Sequence, residues 1–204
     1  MTRATKVLRQ GLKAAEDSNL LKALQSEITH ELSSNPYQNT QSGSLGDFTV
    51  EWDSPKSRDM VLRRKCESGE EVAVSALLGD EVIQKDSKLP MEVLMKVCIK
   101  KQGLSSILQF DCKVPSEVDS WSGFDIKNAY YLQPSTCLDS SAYRGPLYSS
   151  LDPELQGELK KYLTAKGIGE SLANFLLLHL HKKEQDQYVN WLQRLEATLK
   201  QKSD

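Results

Sequence analysis

The stretch LDPELQGELKKYLTAKGIGESLANFLLLHL, residues 151–180, decides the fold, because it predicts two helices joined at a glycine. Asp152 is a favourable N-cap residue, and Pro153 follows at the first helical position, where a missing N–H group costs nothing. Gly167 is typical of the left-handed residue that ends a helix. Between these signals, leucine recurs at four-residue spacing and forms one apolar stripe, at Leu155, Leu159 and Leu163.

A second, longer helix is predicted to begin near residue 170 and to run almost to the chain end, so that residues 152–202 form a C-terminal helix pair. The segment HKKEQDQ, residues 181–187, is too polar to be buried without hydrogen-bonding partners, and the pattern favours a neighbouring subunit as their source. On either side of this segment the helix carries apolar groups, Leu172, Phe175, Leu176 and Leu180, then Tyr188, Trp191, Leu192, Leu195 and Leu199.

Residues 1–34 predict one long N-terminal helix with an apolar stripe, at Leu8, Leu12, Leu20, Leu24, Ile28 and Leu32. At the α-helical rise, such a helix is about 45 Å long, more than a small domain covers by itself. Two long helices at opposite chain ends bury most apolar area by packing antiparallel. The candidate positions for packing between helices or between subunits are Leu24, Ile28, Leu176, Trp191, Leu192 and Leu195.

Residues 47–132 predict an antiparallel sheet, because apolar and polar residues alternate in short runs separated by turn residues. The run at 48–52 indicates a half-buried strand, residues 79–90 a loop, and residues 124–126 and 129–132 two last short strands. The connections are too short for the crossovers that parallel neighbours need. A sheet of this kind with helices at both chain ends is an α+β fold.

Spaced motifs near the C-terminus resemble the signature of the mitochondrial glycoprotein family, also called the mitochondrial acidic matrix protein family, with its plant branch as the expected subgroup. They are YRGP at 143–146, LD at 151–152, KGI at 166–168, KEQ at 183–185 and YVNWLQRL at 188–195. The resemblance implies a single domain, residues 1–204. It implies a highly twisted antiparallel sheet of about seven strands, flanked by one long N-terminal and two C-terminal helices. It also implies a ring-shaped homotrimer in which the first and last helices pair as a coiled coil.

The resemblance further implies a function: a non-enzymatic protein of the mitochondrial matrix that binds several proteins, basic or ribosome-associated ones among them. Some family members also bind RNA, and the implied role is to support mitochondrial gene expression or respiration. The matrix location follows from the resemblance alone. We interpret the basic residues near the N-terminus as the solvated face of the first helix rather than as a transit peptide, at Arg3, Lys6, Arg9 and Lys13.

The charge balance departs from the acidic character of that family. Lys and Arg number 26 against 28 Asp and Glu, a formal net charge of -2. This balance provides no basic footprint for nucleic acid, so RNA binding has little support from charge. It also weakens the attraction for basic partners. No apolar run approaches the roughly 20 residues that a membrane span needs.

Motifs of catalysis and phosphate binding are missing from the sequence. His179 and His181 are two residues apart on a predicted helix and point about 200° from each other, so they do not share a metal. The four cysteines form no C-x-x-C pair, which predicts small apolar side chains rather than zinc ligands or disulfides, at Cys66, Cys98, Cys112 and Cys137. We expect no catalytic, cofactor-binding or metal-binding residue. The alternative hypothesis is a small soluble enzyme whose Cys, Asp and Glu residues come together only on folding.

Overall fold

The computed structural model describes residues 3–34, 43–79, 82–84, 87–89, 91–115, 123–134 and 143–200, with side chains outside residues 3–17, 82–84 and 87–89. The chain divides into two compact units. The smaller unit joins Met1–Asn39, which holds helix α1 (Arg3–Ser33), with Lys183–Asp204, and the larger unit is Thr40–Lys182. The long N-terminal helix is therefore confirmed. The single domain expected from the sequence remains a prediction.

The larger unit contains an antiparallel sheet built from consecutive strands. The strands between residues 49 and 132 are β1 (Thr49–Asp53), β2 (Asp59–Lys65), β3 (Glu71–Leu78), β4 (Val82–Gln84), β5 (Ser87–Leu89), β6 (Val93–Lys100), β7 (Ile107–Val114) and β8 (Asp125–Leu132). Six of them form one sheet in the order β1-β2-β3-β6-β7-β8, and β4 and β5 pair with each other in a separate two-stranded sheet. This arrangement confirms the predicted α+β fold and its meander.

Three details of the strand prediction are wrong. The described residues hold six strands in the sheet and a separate hairpin, not a sheet of seven. That hairpin, β4 and β5, lies where residues 79–90 predicted a loop. The two last short strands are one strand, β8. Lys127 is the extra residue of a bulge in β8, because Asp111 pairs with Asn128 while Cys112 pairs with Ile126. The bulge breaks the period of two although the strand continues.

One face of the sheet carries the hydrophobic core. In β3 the buried residues alternate with half-exposed ones, as a strand with one covered face requires. Each buried Val, Leu or Phe side chain contributes roughly 1.5–3 kcal/mol, so this inner face dominates the stability of the unit. Its largest buried side chains on the strands include Met60, Leu62, Val72, Val74, Val97, Ile99 and Phe110.

Two helices contribute further side chains to this core: α2 (Pro153–Ala165) and the first half of α3 (Glu170–Lys200). The predicted cap of α2 is confirmed, because the Oδ1 atom of Asp152 accepts a hydrogen bond from the N–H group of Glu154 at 2.8 Å. The core side chains from this part of the chain are Leu163 in α2, Ile168 in the turn that follows, and Leu172, Ala173, Leu176, Leu177 and Leu180 in α3.

The connection between α2 and α3 is a closed glycine turn. Gly167 has a φ of 89°, the left-handed conformation that its position predicted. The N–H group of Ile168 bonds to the carbonyl of Leu163 at 3.1 Å, and that of Gly167 bonds to the carbonyl of Thr164 at 2.9 Å. This Schellman pattern satisfies the last carbonyls of α2 and fixes the direction in which α3 begins.

The two edges of the sheet differ. Phe48, just before β1, is buried as predicted, but all five residues of β1 are exposed, so the half-burial predicted for the rest of the run is wrong. Val50 and Trp52 retain 49% and 53% of their accessible surface, because β1 has only one neighbour in the sheet and a bulge at Glu51 shifts its register. At the other edge, the N–H group of Tyr131 in β8 donates to the carbonyl of Arg144 at 3.3 Å. Part of the β8 edge is thus paired with the segment that follows it.

Candidate interaction surfaces

The smaller unit brings the N-terminal helix against the last half of α3. The side-chain amide of Gln25 donates to the Oε1 atom of Glu196 at 2.9 Å. The hydroxyl of Tyr188 donates to a carboxylate oxygen of Glu27 at 3.2 Å. Residue numbers rise along one helix as they fall along the other. The two helices therefore run antiparallel, as the apolar stripes predicted.

Four of the six predicted packing residues lie in this helix pair, two of them buried between the helices and two exposed on its surface. Leu24 and Leu192 are buried, whereas Trp191 and Leu195 remain 54% and 37% exposed. The ring of Trp191 stacks on that of Tyr188, with 6.0 Å between the ring centroids. Trp191 and Leu195 are four residues apart, so they form one apolar patch on the side of the helix, which we call the Trp191 patch.

The other two predicted packing residues have different surroundings. Ile28 is partly buried in the smaller unit. Leu176 is fully buried in the core of the larger unit, among side chains from the sheet. The role of all six residues in assembly stays a prediction. Leu176 is already fully buried by side chains of its own chain.

The polar segment of α3 finds partners inside the chain. The Nε2 atom of buried His181 lies 3.0 Å from the carbonyl of Met91 in the larger unit, and burial lowers the pKa of this imidazole. In the smaller unit, the amide of Gln185 donates to the carbonyl of Glu31 at 2.8 Å and to that of Ser34 at 3.1 Å. The sequence pattern favoured a neighbouring subunit as the source of these partners. For His181 and Gln185 that expectation is wrong, because their own chain supplies the partners.

An ion pair that the sequence did not indicate holds the end of α2 to the β2–β3 turn. Lys166 donates to Glu70, and the Nζ atom of Lys101 lies 3.8 Å from the same carboxylate. The hydrogen bond from Lys166 lowers the pKa of Glu70, and the bond to Glu70 raises the pKa of Lys166. Only the fold brings these residues together, because 96 positions separate Glu70 from Lys166. The pair reinforces the glycine turn beside it.

A second histidine contact joins α3 to the edge strand. The Nε2 atom of His179 lies 2.7 Å from the Oδ2 atom of Asp53, and its ring stacks on Phe175 with 5.4 Å between centroids. Within the described residues, no group of three or more His, Cys, Asp or Glu side chains is placed to hold a metal ion. The arrangement orients α3 against β1.

The cysteines in the described residues are Cys66, Cys98 and Cys112, each of them outside any disulfide, and Cys137 lies beyond those residues. Burial raises the pKa of the Cys112 thiol to about 12, so this group is protonated at neutral pH and is a poor nucleophile. Its surroundings are those of a core residue, as its alternating position in β7 predicted.

Sequence comparison assigns the chain to a family. The order of one helix, an antiparallel sheet and two helices defines the class of fold. The profile of the mitochondrial glycoprotein family, MAM33, matches residues 24–199. The chain therefore belongs to this family, as its C-terminal motifs indicated.

Two relatives show how far the similarity extends. The chain is 36% identical to the mitochondrial acidic protein mam33 of Schizosaccharomyces pombe over 88 residues, 38% of this chain and 33% of that protein. It is 25% identical to an uncharacterized mitochondrial protein of Arabidopsis thaliana over 204 residues, 93% of this chain and 77% of the relative. The first match thus spans only a third of its relative's length. The branch within the family remains a prediction.

Solved structures share the fold. The crystal structure of the Trypanosoma brucei p22 protein matches with a TM-score of 0.68 at 21% identity, covering 91% of this chain and 99% of that one. A hypothetical protein from Leishmania major, described as a sequence homologue of the human p32 protein, matches with a TM-score of 0.65 at 20% identity and covers 90% of this chain and 99% of that one. The names of these four proteins denote no enzymatic activity. Within the described residues, no helix has the length and apolar character to cross a membrane.

Proposed function

We propose that this chain is a non-enzymatic, homotrimeric protein of the mitochondrial matrix that binds several protein partners and supports mitochondrial gene expression or respiration. Membership of the mitochondrial glycoprotein family supports the non-enzymatic and mitochondrial parts of the proposal. The names of the fission-yeast and Arabidopsis relatives, both mitochondrial, point in the same direction. The number of subunits comes from the family resemblance alone.

The observation that carries the proposal is the exposed Trp191 patch. A large aromatic side chain and a leucine lie exposed on one side of an otherwise well-paired helix. Exposed apolar clusters of this kind mark surfaces that contact other proteins, and tryptophan is prominent among residues that contribute most to such contacts. A second copy of the chain is the occupant that we propose. A three-fold ring would join this patch to a different surface on the next copy.

Sedimentation equilibrium tests the assembly. We expect three times the chain mass for the unaltered protein, and a smaller mass for Leu195→Asp at the same micromolar concentration. Ala197→Asp is the matched control, because Ala197 is exposed on another side of the same helix and receives the same charge. Leu192→Asp is less informative, since Leu192 is buried within the helix pair and its loss would disrupt the unit itself.

The outcome that contradicts the assembly is a monomer for the unaltered chain. Loss of assembly in Ala197→Asp as well as in Leu195→Asp would instead contradict the placement of the contact at the Trp191 patch. Deletion of residues 1–34 is expected to abolish the trimer and to lower solubility, because it removes the helix that pairs with the end of α3.

Location and activity need separate measurements. Import into isolated mitochondria followed by protease treatment is expected to leave the chain protected in a fraction that lacks membranes. A turnover screen against esters, phosphoesters and nucleotides tests the enzyme alternative, and reproducible turnover that is lost on unfolding would contradict the proposal.

A further inference from the structure

The outer edge of β1 is a candidate site for strand pairing. β1 lies at the end of the sheet and, among the described residues, pairs with β2 alone, through Thr49–Arg63, Val50–Leu62 and Trp52–Val61. A strand carries N–H and C=O groups on both sides, and no described strand pairs with the second side of β1, where another extended chain can add. The β8 edge differs, because the described residues place Arg144 against Tyr131 there.

The side chains of this edge strand suit a bound strand on both faces. Val50 is in register with buried Leu62 and so belongs to the inner face, whereas Trp52 is in register with Val61 on the outer face. Each keeps about half of its surface exposed. A strand added beside β1 would cover apolar surface on both faces while its backbone pairs with the edge.

The charge of the edge strand selects the occupant. The segment GDFTVEWDS, residues 46–54, has three ionisable side chains, and all three are acidic: Asp47, Glu51 and Asp53. Arg64 and Arg63 contact the first two from the neighbouring strand at 2.8 and 2.9 Å, yet the Asp47 side chain is 75% exposed and that of Glu51 is 43% exposed. Because a carboxylate accepts several hydrogen bonds, these oxygens have capacity for a further cation.

We propose that the outer edge of β1 binds an extended peptide with alternating basic and apolar residues, which pairs with the edge as an additional strand. The inference rests on the proposed partner-binding function but not on the trimer. A second copy of β1 suits the edge poorly, because antiparallel pairing of two such strands sets carboxylates beside carboxylates. A basic strand places its cations there instead. The apolar residues of the peptide alternate with its cations. They cover Val50 if they lie on the inner face of the sheet, and Trp52 if they lie on the outer face.

The test uses the full chain and three synthetic peptides. The probe is acetyl-Thr-Val-Lys-Val-Lys-Val-Thr-amide. The second peptide has Glu in place of both Lys. The third has N-methyl groups on both Lys and on the central Val, which remove N–H donors from both of its edges and keep its charge. We expect the probe to bind at least about tenfold more tightly than either of the others, because each of them loses hydrogen bonds or meets like charges.

Hydrogen exchange locates the site on the unaltered protein. Bound probe is expected to slow amide exchange at residues 49–52, which form the edge. Glu51→Lys is expected to weaken binding about tenfold through like-charge repulsion. Glu67→Lys is the matched control, an equal charge change at an exposed residue of the β2–β3 turn. It is expected to change binding less than about twofold, because solvent screens the interaction between exposed charges that are more than about 8 Å apart.

Several results would overturn the inference. They are equal binding of the N-methylated peptide, protection that leaves residues 49–52 unchanged, and equal losses in Glu51→Lys and Glu67→Lys. Protection of residues 49–52 that grows with protein concentration in the absence of peptide would assign the edge to a second copy. Sedimentation of the same samples separates this inference from the proposed function, because an intact trimer that fails to bind the probe contradicts the β1 site alone.

Discussion

The two halves of α3 are continuous in sequence but obtain their burial differently. In the first half, Leu176 and Leu180 are almost completely buried in the core that they share with the inner face of the sheet. In the second half, Leu192 is buried within the smaller unit, while Trp191 and Leu195 remain exposed. Both halves carry leucine and aromatic residues at helical spacing. A shared apolar pattern therefore identifies a helix that needs cover, and leaves open whether its own chain or another one supplies it.

The largest contrast is expected from the same substitution in each half. Leu176→Ala removes a fully buried side chain and should lower the free energy of unfolding by about 2–5 kcal/mol, because it leaves a cavity in the core. Leu195→Ala, at a residue that is 37% exposed, should cost less than about 1 kcal/mol when measured on the dissociated chain. Urea unfolding followed by circular dichroism measures both. Equal losses would mean that the two halves are covered alike.

A smaller contrast is expected from pH, because the only histidines in α3, His179 and His181, lie in its first half. Burial lowers the pKa of His181 below its usual 6.5, so the unfolded chain takes up a proton first as the pH falls. The neutral imidazole makes its full contribution to the free energy of unfolding at pH values above that usual pKa. This contribution is lost as the pH falls from there toward the lowered pKa of the folded chain, by at most about 1.4 kcal/mol per pH unit.

Unfolding free energies between about pH 7.5 and about pH 5 test this dependence, since histidine titrates in that range. His181→Gln is the comparison variant, because a glutamine amide donates to the Met91 carbonyl without titrating. We expect a shallower pH dependence in the variant than in the unaltered chain. Identical slopes would show that His181 does not couple folding to protonation.

The smallest expected effect belongs to the second half of α3. Tyr188→Phe removes the hydroxyl that donates to Glu27 at 3.2 Å and should cost about 0.5–1.5 kcal/mol, because the half-buried carboxylate regains water as a partner. Thermal unfolding of the variant measures it. The Tyr188–Trp191 stack should persist, so the tryptophan bands of the near-ultraviolet circular dichroism, to which all three tryptophans contribute, should stay unchanged and serve as the control for an intact patch.

The elements that the sequence predicts well are those with local signals. Asp152 marks the start of α2 by its side-chain cap and Gly167 marks the end by its left-handed backbone, and the structure confirms both. The alternation in β3 likewise determines which residues face the core. Signals of this kind need no knowledge of distant residues.

The predictions that fail depend on position within the sheet or on distant partners. Val50 and Trp52 alternate like a half-buried strand, but β1 is an edge, and the order of strands decides that. The partners of His181 and Gln185 are Met91 and Glu31, residues too distant in sequence for a local pattern to reveal. The exposure of Trp191 belongs to the same class, because a helical stripe does not show how much of it the chain itself covers.

The order in which the core is assembled has a consequence for biosynthesis. The strands of the sheet are complete at residue 132, whereas the helical side chains that join the same core lie between residues 163 and 180. A growing chain of about 150 residues already has its strands but still lacks the helices that bury their apolar face. Such a face is prone to aggregate and is a binding surface for chaperones. The apolar face of the sheet therefore stays exposed until residues 163–180 have been synthesised. Cooperative folding of the larger unit cannot be completed before Leu180 is available.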